Sequence, residues 1–230
     1  MYDINIAQNT ESLPSGKALL AELYKEAPAK LYFEIRCIHP TSAQVRSLWA
    51  RMDDADGKKR IFAEAERLNK EGYGLYFAPC VRREKKGSAA SAALVPALWV
   101  DVDCDSDQNK RDKGLAKLQE FDPAPSVIVD SGGGWHAYWL LDAPFTLETD
   151  DDKQRIAHIL HGLFKVLDGD EAYVKSVASV MRLPDSINTK PNREGAMVGV
   201  VDWHPDRRYA LNSFDWLAIK PQSNGYTPMF

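Results

Sequence analysis

Two carboxylates two positions apart, Asp101 and Asp103 in VPALWVDVD (95–103), are the sharpest candidates for chemistry in this chain. On a strand, such residues project from one face, so both carboxylates converge while Val100 and Val102 turn to the core. Like charges this close repel and raise each other's pKa unless a cation lies between them. Their hard oxygens suit Mg2+ or Mn2+, which take one or two protein carboxylates and complete their shell with substrate phosphates. A strand that simply ends in polar residues reads the same way, since Asp105 and Asp107 follow.

A second constellation is Ser131-Gly132-Gly133-Gly134-Trp135-His136. Three glycines let a backbone approach a ligand closely, and successive N–H groups can form an anion-binding nest. His136 heads the next strand and can donate to a triphosphate; a glycine-rich hairpin carrying a surface His is the competing reading. Neither GxGxxG nor a Walker A loop is present. The third is Arg182-Leu183-Pro184-Asp185-Ser186-Ile187-Asn188-Thr189-Lys190, where a fixed Pro among Arg, Asn and Lys suits phosphate or base contacts. By itself it is a polar turn. His158 and His161 lack a third ligand at suitable spacing and read as surface residues.

The elements that must position these residues follow from pattern. Leu19, Leu20, Leu23 and Tyr24 predict a helix after Ser15, and LYFEIRCIH (31–39) alternates as a strand with Phe33, Ile35 and Cys37 inward. Residues 59–70 predict a helix ended by Gly72. GLYFAPC (74–80) predicts one strand, and RREKKGSAAS a mobile loop. Residues 95–103, 126–130 and 135–141 predict strands, with a helix at 108–120. Ile156, Ile159, Leu160, Leu163, Phe164 and Leu167 form one apolar stripe on a helix over 151–168. Residues 197–203 and a segment near Tyr209 predict closing strands. Strands and helices intermix without a strict βαβ rhythm, which favours an α+β fold.

A net charge of −4 excludes a wholly basic nucleic-acid coat. Positive charge still clusters at Lys58-Lys59-Arg60, at Arg82-Arg83 with Lys85-Lys86, and at Arg207-Arg208. That is the pattern of ordinary solvated surface, and equally of an acidic protein that handles DNA inside a cleft. Cys37, Cys80 and Cys104 are odd in number and widely spaced, which argues against a disulfide framework or a structural zinc site. The N-terminus lacks a signal-peptide pattern, and no apolar run approaches the roughly 20 residues of a membrane span. A cytoplasmic location is expected.

Taken in order, these segments resemble the primase-polymerase branch of the archaeo-eukaryotic primase superfamily of plasmids and phages. That family has a YF-x-A/V-P strand, an "alwvDvD" strand, an "SGGGxHxYW" hairpin, a helix and then "vmRLPgtiNxK". Here the counterparts are YFAPCVRRE (76–84), LWVDVDCD (98–105), SGGGWHAYW (131–139) and VMRLPDSINTK (180–190), and LYFEIRCI (31–38) also fits. The resemblance implies an N-terminal α/β lobe packed on an RRM-like catalytic sheet, with the active site in the cleft between them. One catalytic domain would span residues 1–220, with 221–230 as a tail or linker stub.

It further implies a DNA primase/DNA polymerase, a nucleotidyltransferase that makes or extends primers on single-stranded DNA in phage or plasmid replication. Asp101 and Asp103 would hold Mg2+ or Mn2+. His136, with Ser131, Gly132, Gly133 and Gly134, would contact the incoming NTP or dNTP. Arg182 and Lys190, together with Arg82, would neutralise phosphate charge. A helicase domain or protein is an expected partner, the membrane is not, and the compartment would be the cytoplasm of a bacterium or phage-infected host. One departure stands out: the family's third acidic ligand, six residues before the Arg of RLP, is Ser176 here. Asp170 or Asp185 would have to substitute. Otherwise the domain is weakly active, or a non-catalytic replication-initiator module that binds template and nucleotide. A nucleotide-sugar glycosyltransferase also uses a DxD motif, but does not account for the SGGGxH hairpin or the RLPxxxNxK turn. Replacing Asp101 and Asp103 together with Ala is expected to abolish Mn2+ binding in calorimetry while the fold survives.

Overall fold

The computed structural model describes residues 13–104, 107–169, 176–193 and 195–218. Asp170 and the 221–230 tail fall outside them. The longest pairing joins β5 (Ala92–Asp103) and β7 (Gly134–Thr146), antiparallel, with Asp101 opposite His136 and Asp103 opposite Gly134. All of β5 but Asp103 is buried, which explains its unbroken apolar run. The ladder slips between Val95 and Ala97, because Pro96 has no N–H to give it.

On its other side β7 pairs with β6 (Val127–Asp130), and β6 with β9 (Gly199–Trp203). α3 (Gln108–Glu120) carries the chain from β5 to β6, leaving a gap that β7 fills. This split β-α-β unit, with α4 (Asp150–Leu167) after β7, is the expected RRM-like sheet. β9 closes it beside β6 rather than beside β5, where β4 (Val81–Arg82) pairs instead. The two helices cover the valine face: a Cβ on Gly114 would lie 3.2 Å from Val102 Cγ1, and one on Gly169 2.9 Å from Val100 Cγ2. Asp101 and Asp103 therefore occupy the opposite face, free of helix.

The N-terminal part supplies α1 (Gly16–Tyr24), β1 (Tyr32–Ile38), β2 (Val45–Arg51), α2 (Ala55–Lys70) and β3 (Gly74–Phe77). One edge of β1 pairs with β2. The other is shared, β3 taking Ile35–Ile38 and β4 taking Tyr32. Residues 74–80 are thus not one strand: Pro79 interrupts the ladder, and the chain resumes pairing at Val81. Beyond them β3 pairs with β8 (Met181–Arg182), whereas β4 pairs with β5. The sheet forks at residues 78–80. With β10 (Arg208–Tyr209) parallel to β7, the described residues form a single ten-stranded sheet in which the expected two lobes are branches. Phe77 of one branch stacks on Tyr138 of the other at 6.1 Å, filling the crotch of the fork.

Local signals account for most of the helices. Ser15 Oγ accepts from the Ala18 N–H to start α1, and Thr149 with Asp152 forms a capping box at α4. The stripe expected on α4 is buried as read. α2 begins at Ala55, earlier than its apolar pattern suggests, because Asp54 caps it through the Gly57 N–H. The loop after β4 is tied down: Arg83 donates to the carbonyls of Ala92 and Leu147, and Ser91 to those of Lys86 and Ser88. No described helix is long and apolar enough to cross a membrane.

α4 also packs on the 3-10 turn Leu211–Leu217 so closely that a Cβ on Gly162 would fall 1.9 Å from the Leu217 carbonyl oxygen. Gly162→Ala should therefore cost about 1–3 kcal/mol in denaturant unfolding. Gly199→Ala, whose Cβ would meet nothing within 4 Å, should leave stability nearly unchanged.

Candidate active site

Both branches of the fork contribute to one cleft. From β5 and β7 come Asp101, Asp103 and His136; from β3 and β8 come Tyr76 and Arg182. Ser131 and Gly133 of the turn before β7 complete the lining, with Asn188, Lys190 and Arg193 after β8. His136 is 2% exposed, and its Nε2 lies 3.5 Å from Asp101 Oδ1. Arg193 Nη2 lies 3.3 Å from Asp103 Oδ1. Asp101 thus has an imidazole beside it and Asp103 a guanidinium, whose fixed charge offsets part of the repulsion expected between the carboxylates. Arg182 and Tyr76 sit opposite each other on β8 and β3, with the guanidinium 4.8 Å from the ring centroid. Burial raises the Tyr76 phenol pKa, the Arg182 charge opposes that rise, and Asp101 adds to it; the hydroxyl remains a donor.

The glycine turn is only partly available as an anion nest. Its first two N–H groups are already spent, Ser131 on the Gly134 carbonyl and Gly132 on Asp130 Oδ1. The glycines answer to packing instead. Gly132 takes φ +75°, a Cβ on Gly133 would meet Arg193 Nε at 2.6 Å, and one on Gly134 would meet the Val102 carbonyl oxygen at 2.0 Å. Asn188 holds this turn to the RLP segment: its Nδ2 donates to the Ser131 carbonyl, and its Oδ1 accepts from the Lys190 N–H. It is a positioning residue, with both ends of its amide bonded to backbone.

Arg182, Lys190 and Arg193 face two carboxylates, so the described lining of the cleft carries net positive charge in an acidic chain. Two buried nitrogens of its lining, His136 Nδ1 and Arg182 Nη1, find no hydrogen-bond partner among the described residues. An orphaned donor costs about 1–3 kcal/mol and marks where a ligand or water belongs.

Several sequence expectations move. Arg82 is fully buried outside the cleft, beside Glu34 at 3.5 Å, and donates to the carbonyls of Val177 and Ala178. It ties β4 to the chain entering β8, bracing one branch of the fork against the other. Asp185 points away from the site: its carboxylate accepts from the Gly16 N–H at the start of α1. Ser176 does not line the cleft; its Oγ accepts from the Ala178 N–H within a turn. Of the basic clusters, Arg208 pairs with Glu22 and donates to the Leu141 carbonyl. Tyr76 and Arg193 were not anticipated. Tyr76 lay inside the YFAPC motif, whereas nothing around Arg193 marked it before Asp103 was seen beside it.

Among the described residues no three His, Cys, Asp or Glu side chains form a metal cage. The cysteines are buried, with burial pushing the Cys104 thiol up to about 11. Asp101 and Asp103 do fit one Mg2+ or Mn2+, since hard ions often take two carboxylates and leave other positions to phosphates. Among the described residues, no third carboxylate lines this cleft for a second ion.

No family model and no curated relative matches the chain. Solved structures do match, and they show that the chain has the fold of archaeo-eukaryotic primase-polymerase catalytic domains. It is similar to the AEP domain of the cyanophage S-2L primase-polymerase, at 17% identity and TM-score 0.62, over 88% of this chain and 96% of that one. It is also similar to the catalytic domain of primase RepB' in complex with initiator DNA, at 16% identity and TM-score 0.58, over 89% and 94% of the two chains. A further structure of RepB' covers 88% of this chain and 62% of that one, at 16% identity and TM-score 0.57.

The altered role of Arg82 is testable. Removing Arg82 would leave buried Glu34 to Arg36 alone and strip two backbone carbonyls of their donor, at about 1–3 kcal/mol. Arg82→Met should lose that much in denaturant unfolding, while Lys190→Ala should stay within about 0.5 kcal/mol of wild type.

Proposed function

We propose that this chain is a primase-polymerase catalytic domain that joins nucleotides to a primer on a single-stranded DNA template. The observation that carries the proposal is the cleft itself: two carboxylates, an orphaned histidine nitrogen and three cations, brought together by both branches of a forked sheet. Nucleotidyl transfer depends mainly on positioning and on neutralising phosphate charge, and this lining supplies both. The likeness to a cyanophage primase-polymerase domain and to a primase solved with initiator DNA supports phage or plasmid replication as the setting.

Arg182 and Lys190 would bind the triphosphate, the guanidinium held in place by the Tyr76 ring beneath it. His136, backed by Asp101, would donate to a phosphate oxygen. Asn188 and the glycine turn fix the cleft wall, so that little reorganisation accompanies binding. A divalent ion on Asp101 and Asp103 would polarise the reacting phosphate and offset its charge. A second reading, a module that binds template and nucleotide with little turnover, is favoured by one observation: position 176 carries Ser and stands outside the cleft lining.

Extension of a labelled primer in Mn2+, with filter binding of template and nucleotide alongside, separates the two. Product that disappears in Asp101→Asn supports the enzyme; retained binding with no product in Mn2+ supports the module. His136→Ala should weaken nucleotide affinity by roughly 10- to 150-fold, the worth of one charge-assisted hydrogen bond, and leave template affinity nearly unaltered. Equal loss of both affinities would contradict the assignment of His136.

A further inference from the structure

Arg193 stands against one of the two carboxylates that would receive a divalent ion. Its side chain is 4% exposed, and its Nη2 lies 3.3 Å from Asp103 Oδ1. The guanidinium rests on the glycine turn, where a Cβ on Gly133 would meet its Nε, Cζ and Nη2 at 2.6, 2.8 and 3.0 Å. The arm springs from a single 3-10 turn, Pro191–Arg193, closed by the Arg193 N–H on the Lys190 carbonyl. Lys190, at the base of that turn, lines the same cleft. A cation is therefore fixed on a prospective ion ligand, beside the space that phosphates would enter.

We propose that Arg193 is an exchangeable counter-ion. It neutralises Asp103 while the cleft is empty, then passes to the triphosphate when nucleotide binds, which releases Asp103 to the divalent ion. This rests on the reading of the cleft as a nucleotide site. The physical basis is competition among charges. A guanidinium beside Asp103 repels a second cation there, so the ion alone binds weakly. A triphosphate offers the same guanidinium several anionic oxygens in the forked geometry that arginine prefers. Moving it lowers the barrier to ion entry, so nucleotide and ion each raise the other's affinity by the same factor. The cleft would then stay free of an idle ion until its substrate arrives.

The test uses the full chain and a non-hydrolysable deoxynucleoside triphosphate, with Mn2+ followed by the paramagnetic resonance of free ion. Wild type should bind Mn2+ weakly alone and about tenfold or more tightly with nucleotide. Arg193→Gln should bind Mn2+ alone several-fold more tightly than wild type, bind nucleotide more weakly, and couple the two less. Arg193→Lys, which keeps the charge, should bind Mn2+ alone much as wild type does. A damaged cleft would lose ion affinity, so the predicted gain cannot come from misfolding. Unchanged or weaker Mn2+ binding in a folded Arg193→Gln overturns the proposal. Should that variant not fold, nitrogen NMR of wild-type arginine side chains decides. The Arg193 Nε–H signal, assigned by its absence in Arg193→Lys, must shift when metal-free nucleotide is added, and a static signal overturns the exchange. Wild type that binds neither Mn2+ nor nucleotide would remove the nucleotide-site reading itself.

Discussion

The register of β5 against β7 is the constraint on which the rest of the cleft depends. Side chains alternate along a strand, so a slip of one position would turn Asp101 and Asp103 toward α3 and α4 and bring Val100 and Val102 into the cleft. The register is held at both ends. Near the site, Gly134 lets the backbone of β7 approach the Val102 carbonyl more closely than any side chain would permit. At the far end, Pro96 absorbs its missing hydrogen bond in a local irregularity, and pairing resumes between Val95 and Phe145. Between these points the valines are locked under two helices, and burying either carboxylate there would be prohibitive.

Charge is distributed by the same geometry. Ionic groups gather at the fork in two sets with different partners. Glu34 stands between Arg36 and Arg82 on the strands where the branches join, and Arg82 also donates to two backbone carbonyls. Asp101, Asp103, His136, Arg182, Lys190 and Arg193 line the opening between the branches and are not mutually satisfied, since nitrogens on His136 and Arg182 lack partners. The first set lies away from the cleft and braces strands, whereas the second opens onto space that a ligand can enter.

Most of the elements were legible in the sequence, because their signals are local. The α4 stripe and the apolar run of β5 each report on their own neighbourhood. β2 was missed because it is largely exposed and takes its order from pairing with β1. The fork was missed because Pro79 looked like one residue of a strand, when its lack of an N–H separates β3 from β4. In the site, Asp101, Asp103, His136, Arg182 and Lys190 were read from motifs, and the fold gathers them. Arg82 and Arg193 illustrate the limit. Both are arginines near motif segments, and sequence cannot tell which one a strand buries beside Glu34 and which one a turn delivers to Asp103.

The fork also sets an order in time. Its two branches are built from stretches far apart in the chain: Tyr76 is made early and its cross-strand partner Arg182 late, with the whole of β5, β6, β7 and α4 between them. Contacts at such separation carry a large loop-closure cost and form late in folding. A ribosome-bound chain that has emerged only as far as α4 could pair β5 with β7 and present two carboxylates, but would have no β8, no Lys190 and no Arg193 to face them. The half-built protein would have an acidic strand end where the folded one sets Arg182, Lys190 and Arg193 against it.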